Sequence, residues 1–153
     1  LDPKLGPRMM STGESLGIGN NLADALMDGL RGAGWTPPQK GSILMSVADS
    51  HKSEIVLAAT QFKSLGWNVD ATSGTAAYLR LWGIDVNEVL PEDIARKARS
   101  GAWDLVLNIP GGSERHMSDG AELRRSASAA GVPCLHSITA VQAVAGSLLK
   151  NKQ

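Results

Sequence analysis

Two hydrophobic periods take turns along the chain. Leu22, Ala25, Leu26 and Leu30 recur at helical spacing and predict a helix over 21–31, with Asn21 as its cap. "GAGWTPPQKG" (32–41) breaks that pattern with Gly and Pro and is read as a linker. After it, short apolar runs alternate with helical stripes. "SILMSVA" (42–48) is strand-like. In "SEIVLAATQFKSLG" (53–66), Ile55, Ala59, Phe62 and Leu65 form one helical stripe stopped by Gly66. "WNVDAT" (67–72) predicts a second strand, "GTAAYLRLWG" (74–83) a short helix and "IDVNEVL" (84–90) a third strand. "PEDIARKARSG" (91–101) places Pro91 in a first turn and Gly101 at a helix end. "WDLVLNIP" (103–110) is apolar enough for a central strand. "DGAELRRSASAAG" (119–131) opens with Asp119 and Glu122 spaced like a capping box. "PCLHSI" (133–138) is a fifth strand, and "TAVQAVAGSLL" (139–149) a last helix with Thr139 and Gln142 at the same capping spacing.

Five strands alternating with helices predict an α/β fold, a parallel sheet with helices on both faces. The 153 residues suffice for one domain with a real core. The compact domain is expected over 40–153. Residues 1–39 are expected to be a lead-in with one helix, because "LDPKLGPRMMSTGE" shows no period and reads as the end of a preceding unit of a longer polypeptide.

Charge removes some partners. Fifteen basic and fifteen acidic residues give a formal net charge of zero, so no global field draws the chain to nucleic acid or to a membrane surface. Apolar runs fall far short of the roughly 20 residues of a membrane span, and no secretory signal is visible, so an intracellular, cytoplasmic protein is expected. The single Cys134 excludes an internal disulfide and reads as a small core residue.

Ligands of parallel α/β sheets sit beyond the carboxyl ends of the strands. Those ends read "ADSHK", "TSGT", "NEV", "NIPGGSERH" and "SIT". In "TSGT", Gly74 permits close backbone approach, and Thr72, Ser73 and Thr75 surround a helix start, where unpaired N–H groups attract anions. The same residues also fit a plain helix cap. Lys52, beside Ser46, Ser50 and His51, could neutralise a phosphate or carboxylate, or simply be a solvated lysine. His51 next to Asp49 has the elements of acid–base chemistry, though a surface histidine fits as well. Asn108 can donate to and accept from a ligand before a Gly-Gly loop, with Arg115 and His116 adding charge, or can tie off the strand end. No P-loop, no Gly-x-Gly-x-x-Gly, no metal-spaced cluster and no nucleophile elbow is present.

"GSILMSVADSHK", "DATSGTAAYLRLWGI", "WDLVLNIPGG" and "DGAELRRSA…GVP" resemble the methylglyoxal-synthase-like domain. "RMMSTGE" and "GIGNNLADALMDGL" resemble the segment leading into that domain in the large subunit of carbamoyl phosphate synthetases, so the resemblance covers nearly the whole chain. It implies a three-layer fold with a five-stranded parallel sheet of order 3-2-1-4-5. It implies a regulatory domain that binds UMP, IMP or N-acetylglutamate and acts on distant sites of a ligase serving pyrimidine and arginine synthesis or the urea cycle. A mitochondrial location follows for the urea-cycle type. The parent would use ATP and Mg, the domain itself no cofactor, and the partners would be the rest of the synthetase chain and a glutaminase subunit. Family positions for the effector match Ser46, Lys52, Thr72, Thr75 and Asn108. The chain departs at Glu88, where nucleotide-binding members carry Lys, and a carboxylate there opposes a phosphate. It also has Gly111 and Gly120 where N-acetylglutamate-binding members carry Asn. Two alternatives share the fold: a lyase of the methylglyoxal synthase type, and a structural domain with a vestigial pocket. A purine cyclohydrolase half also has this fold, but its "KTLHP"-like segment is absent.

Overall fold

The computed structural model describes residues 19–111 and 114–152, with the side chains of 19–21, 49–51, 114–119 and 152 outside that description. The elements are α1 (Gly19–Gly32), β1 (Ser42–Val47), a 3-10 turn (Asp49–Glu54), α2 (Ile55–Ser64), β2 (Asn68–Thr72) and α3 (Ser73–Leu81). They continue with β3 (Asn87–Val89), α4 (Pro91–Arg99), β4 (Leu105–Ile109), α5 (Glu114–Ala129), β5 (Cys134–Leu135) and α6 (Ile138–Lys152). The strands form one sheet of order β3-β2-β1-β4-β5, and every pairing is parallel. The α/β class is as the pattern of the sequence predicts, and the strand order as the family resemblance implies.

β1 lies in the middle, between β2 and β4, and its Ile43, Leu44 and Met45 are fully buried. A strand covered on both faces needs such a continuous apolar run. Alternation sends Ile43, Met45 and Val47 to one face, packed with α1, α2, α3 and α6. Leu44 faces the other side, with Val106, Ala98 of α4 and Leu123 and Ala127 of α5. The result is three layers.

"FKSLGW" shows how local sequence ends α2. Gly66 takes φ 83°, which glycine adopts without a Cβ clash. The Trp67 N–H then donates to Phe62 O and the Gly66 N–H to Lys63 O, a Schellman closure. The Trp67 ring packs edge-on against Phe62 with centroids 5.0 Å apart, and both side chains are buried.

Several boundaries differ from the sequence reading. α1 begins at Gly19, so Asn21 lies inside it. Its buried stripe is Leu22, Leu26, Met27 and Leu30, and Ala25 faces solvent. Leu26, Met27, Leu30 and the half-buried Trp35 join the core beside Val141, Val144 and Leu148 of α6, so residues assigned to a lead-in share the core of the main unit. The "RMMSTGE" stretch lies outside the described residues. β3 is three residues long rather than seven, and β5 two rather than six. Both are edge strands that, among the described residues, pair with one neighbour. α5 starts at Glu114, not Asp119, so the predicted capping box falls inside the helix. The Asp-Gly pair there read as a helix start, but Gly120 is a mid-helix residue kept small by a neighbour across the site. α6 starts at Ile138, and its cap is Ser137, whose Oγ accepts from the Ala140 N–H at 3.2 Å, in place of Thr139.

Candidate functional site

A pocket of about 410 Å³ opens at the carboxyl ends of β1, β2 and β4. Its walls come from Ser46, Val47 and Ala48 at the end of β1, from Lys52, from Thr72 to Thr75 at the start of α3, and from Asn108 to Gly111 at the end of β4. Pro91 and Ile94 of α4 and Gly120 and Leu123 of α5 close the other side. Among the sequence candidates, Ser46, Lys52, Thr72, Thr75 and Asn108 therefore meet in one place. Sheet register explains part of this: Ser46 and Asn108 are direct partners across β1 and β4. Each lies two residues beyond a residue packed against α4 and α5, Leu44 and Val106, so both side chains face that layer.

Glu88 does not line the pocket. Strand alternation buries Val89 against Leu44 and Trp103 and turns Glu88 to the opposite face. There its carboxylate lies 3.6 Å from Arg80 Nη1, while Arg80 Nη2 donates to Val86 O at 3.0 Å. Glu88 thus stands beside Arg80, apart from the other sequence candidates that meet in the pocket.

The threonines are not a simple cap. Thr72 occupies the N-cap position of α3 with extended backbone, yet its side chain makes no capping bond. Its hydroxyl instead donates to Thr75 Oγ1 at 3.3 Å. Thr75, only 1% exposed, accepts from the Val47 N–H at 3.1 Å and donates to Val47 O at 3.2 Å. Gly74 sits under Lys52: a Cβ on it would stand 2.8 Å from Lys52 Nζ. An ammonium thus lies beside the positive end of a helix with no side-chain cap, and both favour negative charge in the space between them.

Asn108 is 2% exposed, and its Nδ2 makes a long contact of 3.5 Å to Gly120 O. A Cβ on Gly120 would stand 2.9 Å from that same Nδ2, so α5 approaches the β4 end this closely only because residue 120 is glycine. On the other side of Asn108, its carbonyl lies 3.2 Å from His136 Nδ1. Sequence reasoning missed Pro91, Ile94 and Leu123 as pocket residues and reached Gly120 only through the family resemblance. Its place inside an otherwise helical run was the available local signal. The side chains of Asp49, Ser50, His51, Arg115 and His116, singled out from the sequence, lie outside the described residues. Among the described residues no helix is long and apolar enough to cross a membrane, and no group of three or more His, Cys, Asp or Glu could hold a metal.

The pocket thus combines a cation and a helix start on one side with Ile94, Leu123, Pro91 and Pro110 on the other. It can hold a small anion carrying a less polar body.

Residues 54–136 match the family model described as "MGS-like domain". That span holds Thr72, Thr75, Glu88 and Asn108, and begins just after Ser46 and Lys52. The chain is 35% identical over 146 residues to the carbamoyl phosphate synthase large chain of Thermoanaerobacter sp. (strain X514), covering 95% of this chain and 14% of that relative. It is 36% identical over 149 residues to a protein named "Carbamoyl phosphate synthase large chain, C-terminal section" from Aquifex aeolicus (strain VF5), covering 94% of this chain and 28% of the relative. A protein of the same name from Methanopyrus kandleri is 37% identical over 160 residues, at 99% and 29% coverage. The chain therefore spans between about a seventh and under a third of the length of these relatives.

Proposed function

The chain belongs to the family of MGS-like domains, and on that premise we propose that it is the regulatory, non-catalytic part of a carbamoyl phosphate synthetase, binding a small anionic effector in the pocket at the strand ends. One observation carries the reading. Lys52 Nζ stands over Gly74 at the uncapped start of α3, inside a pocket also lined by Ser46, Thr72 and Asn108. Cation, hydroxyl and amide converge where the helix dipole favours negative charge. The effector classes that fit are nucleoside monophosphates such as UMP or IMP and carboxylates such as N-acetylglutamate. The anion would sit at Lys52 and Gly74, and the less polar body against Ile94 and Leu123.

The parent activity, formation of carbamoyl phosphate with ATP and Mg, belongs to this proposal and is supported by the relatives' names. So is association with the rest of a synthetase chain and a glutaminase subunit. Regulation would then be a difference in effector affinity between two states of the parent. Against the lyase alternative stands the position of Glu88, a strand-end carboxylate turned toward Arg80 rather than into the pocket.

Calorimetric titration of the chain with UMP, IMP and N-acetylglutamate, paired with thermal unfolding, tests the reading. The right effector raises stability by about 2.7 kcal/mol at a hundred times its Kd. Absence of heat and of any melting shift with all three would sink effector binding. Turnover of dihydroxyacetone phosphate to methylglyoxal would replace it with the lyase.

A further inference from the structure

β5 leaves the sheet one rung before β4 does. The Val106 N–H donates to Pro133 O at 3.0 Å, and on the other side of β4 Ile109 O accepts from the Ala48 N–H at 2.8 Å. Alternate residues of a parallel strand turn their peptide groups to the same neighbour, so Val106 and Asn108 address β5 and Ile109 addresses β1. The ladder pairs Val106 with Cys134 and Leu107 with Leu135, and ends there. One rung further, the same register would set Asn108 opposite His136 and bring the Ser137 N–H to Asn108 O. Ser137 instead begins the turn into α6: its Oγ accepts from the Ala140 N–H and its carbonyl from the Val141 N–H, both at 3.2 Å. A strand-end carbonyl in a buried residue still needs a donor. The half-buried His136 ring supplies it, with Nδ1 3.2 Å from Asn108 O. A carbonyl oxygen has no proton to give, so Nδ1 must carry the proton of this bond.

We propose that His136 is a positioning residue for the pocket. Its ring, with the proton on Nδ1, is the last rung between β4 and the departing chain. It does not line the pocket, whereas Asn108 to Gly111 form one of the pocket walls. Holding the Asn108 carbonyl on the β5 side fixes the backbone from which the Asn108 amide, 2% exposed, reaches the pocket and Gly120 O. The effect on ligand affinity rests on the anion-binding reading above. The ring's proton and its hold on Asn108 do not.

NMR on the 15N-labelled chain and two variants tests this. Long-range 15N–1H correlations of the His136 ring are expected to show Nδ1 protonated. His136→Asn keeps an amide donor at the reach of Nδ1, while His136→Gln carries its amide out to the reach of Nε2. The Asn108 backbone and side-chain amide signals therefore stay near their positions in His136→Asn and move in His136→Gln. Calorimetric titration with UMP, IMP and N-acetylglutamate gives the functional readout. Whichever of them binds loses about threefold to tenfold in affinity in His136→Gln and stays within about twofold in His136→Asn. A ring protonated on Nε2 with Nδ1 bare would overturn the proposal. So would Asn108 signals or an affinity left unchanged in His136→Gln. Should that variant not fold, the ring spectrum of the unmodified chain decides together with His136→Asn. If none of the three compounds binds, the effector reading falls, and the ring proton and the Asn108 signals still decide the role of His136.

Discussion

Lys52 Nζ lies 2.8 Å from the point where a Cβ on Gly74 would stand. Glycine here leaves room for an ammonium against a helix start. Gly74→Ala is therefore expected to push the lysine head aside. The displaced group is the end of a flexible side chain, so stability changes by no more than about 1 kcal/mol, the size of the Gly-to-Ala helix preference. Anion affinity falls roughly tenfold, as expected when a charged contact is moved out of reach. Thermal unfolding and calorimetric titration of the variant measure the two effects. Unchanged affinity would remove Lys52 from the site.

Gly120→Ala reverses the usual helix rule. In an open helix position Ala is favoured over Gly by about 1 kcal/mol. Here the new Cβ would stand 2.9 Å from Asn108 Nδ2 and 3.6 Å from Pro110 Cβ, and Asn108 is buried. A net loss of about 1–3 kcal/mol is expected, with weaker ligand binding, because α5 or the Asn108 amide must shift. Urea unfolding shows the sign at once, and a stabilised variant would contradict the packing.

Glu88→Gln should do little. The pair with Arg80 is 3.6 Å long, and its side chains are 36% and 49% exposed, so its contribution is within about 1 kcal/mol. Outside the pocket lining, the substitution is expected to change anion affinity by no more than about twofold. A tenfold gain would mean that the carboxylate reaches the ligand after all.

Helix α1 belongs to the folding unit. Leu30 is 2% exposed and clusters with the α6 face. Leu30→Ala is expected to cost about 2–5 kcal/mol. Cutting the chain after α1 should leave a remainder that aggregates or melts far lower, since it exposes Val141, Val144 and Leu148. A fragment starting at residue 40 that melts like the whole chain would show the opposite.

Cys134 sets an alkaline limit. Burial pushes its thiol from 9.0 up to about 12, against a smaller opposing pull from Arg124. The native state thus holds its proton where the unfolded state has lost it. This contribution to stability is fully present below about pH 9 and declines as pH rises from there to about 12. Thiol titration at pH 8 should find no reaction until denaturant is added, and stability measured from pH 8 to 11 should fall less in Cys134→Ala than in the unmodified chain.

The chain's own alternation of short apolar runs with helical stripes determined the class of fold, because periods near 2 and 3.6 report directly which residues must leave water. It also marked "TSGT", Lys52 and Asn108, since strand ends in such a sheet are where ligands can reach. It read local closures such as "FKSLGW" correctly, because Phe62, Gly66 and Trp67 complete one another within six residues. It failed where a residue answers to something distant. Asp119 and Gly120 read as the opening of a helix, but that helix starts at Glu114, and Gly120 is small because Asn108, twelve positions earlier, lies against it. Glu88 read as a pocket residue, but the pleat of β3 sets it beside Arg80 and outside the pocket lining. Thr75 read as a cap or a ligand group, and its place in the pocket wall and its two hydrogen bonds to Val47 could not be read locally. Those outcomes depend on which strands are neighbours and in what register. Hydrogen-bond valence and van der Waals contact act across such distances, and no local pattern encodes them.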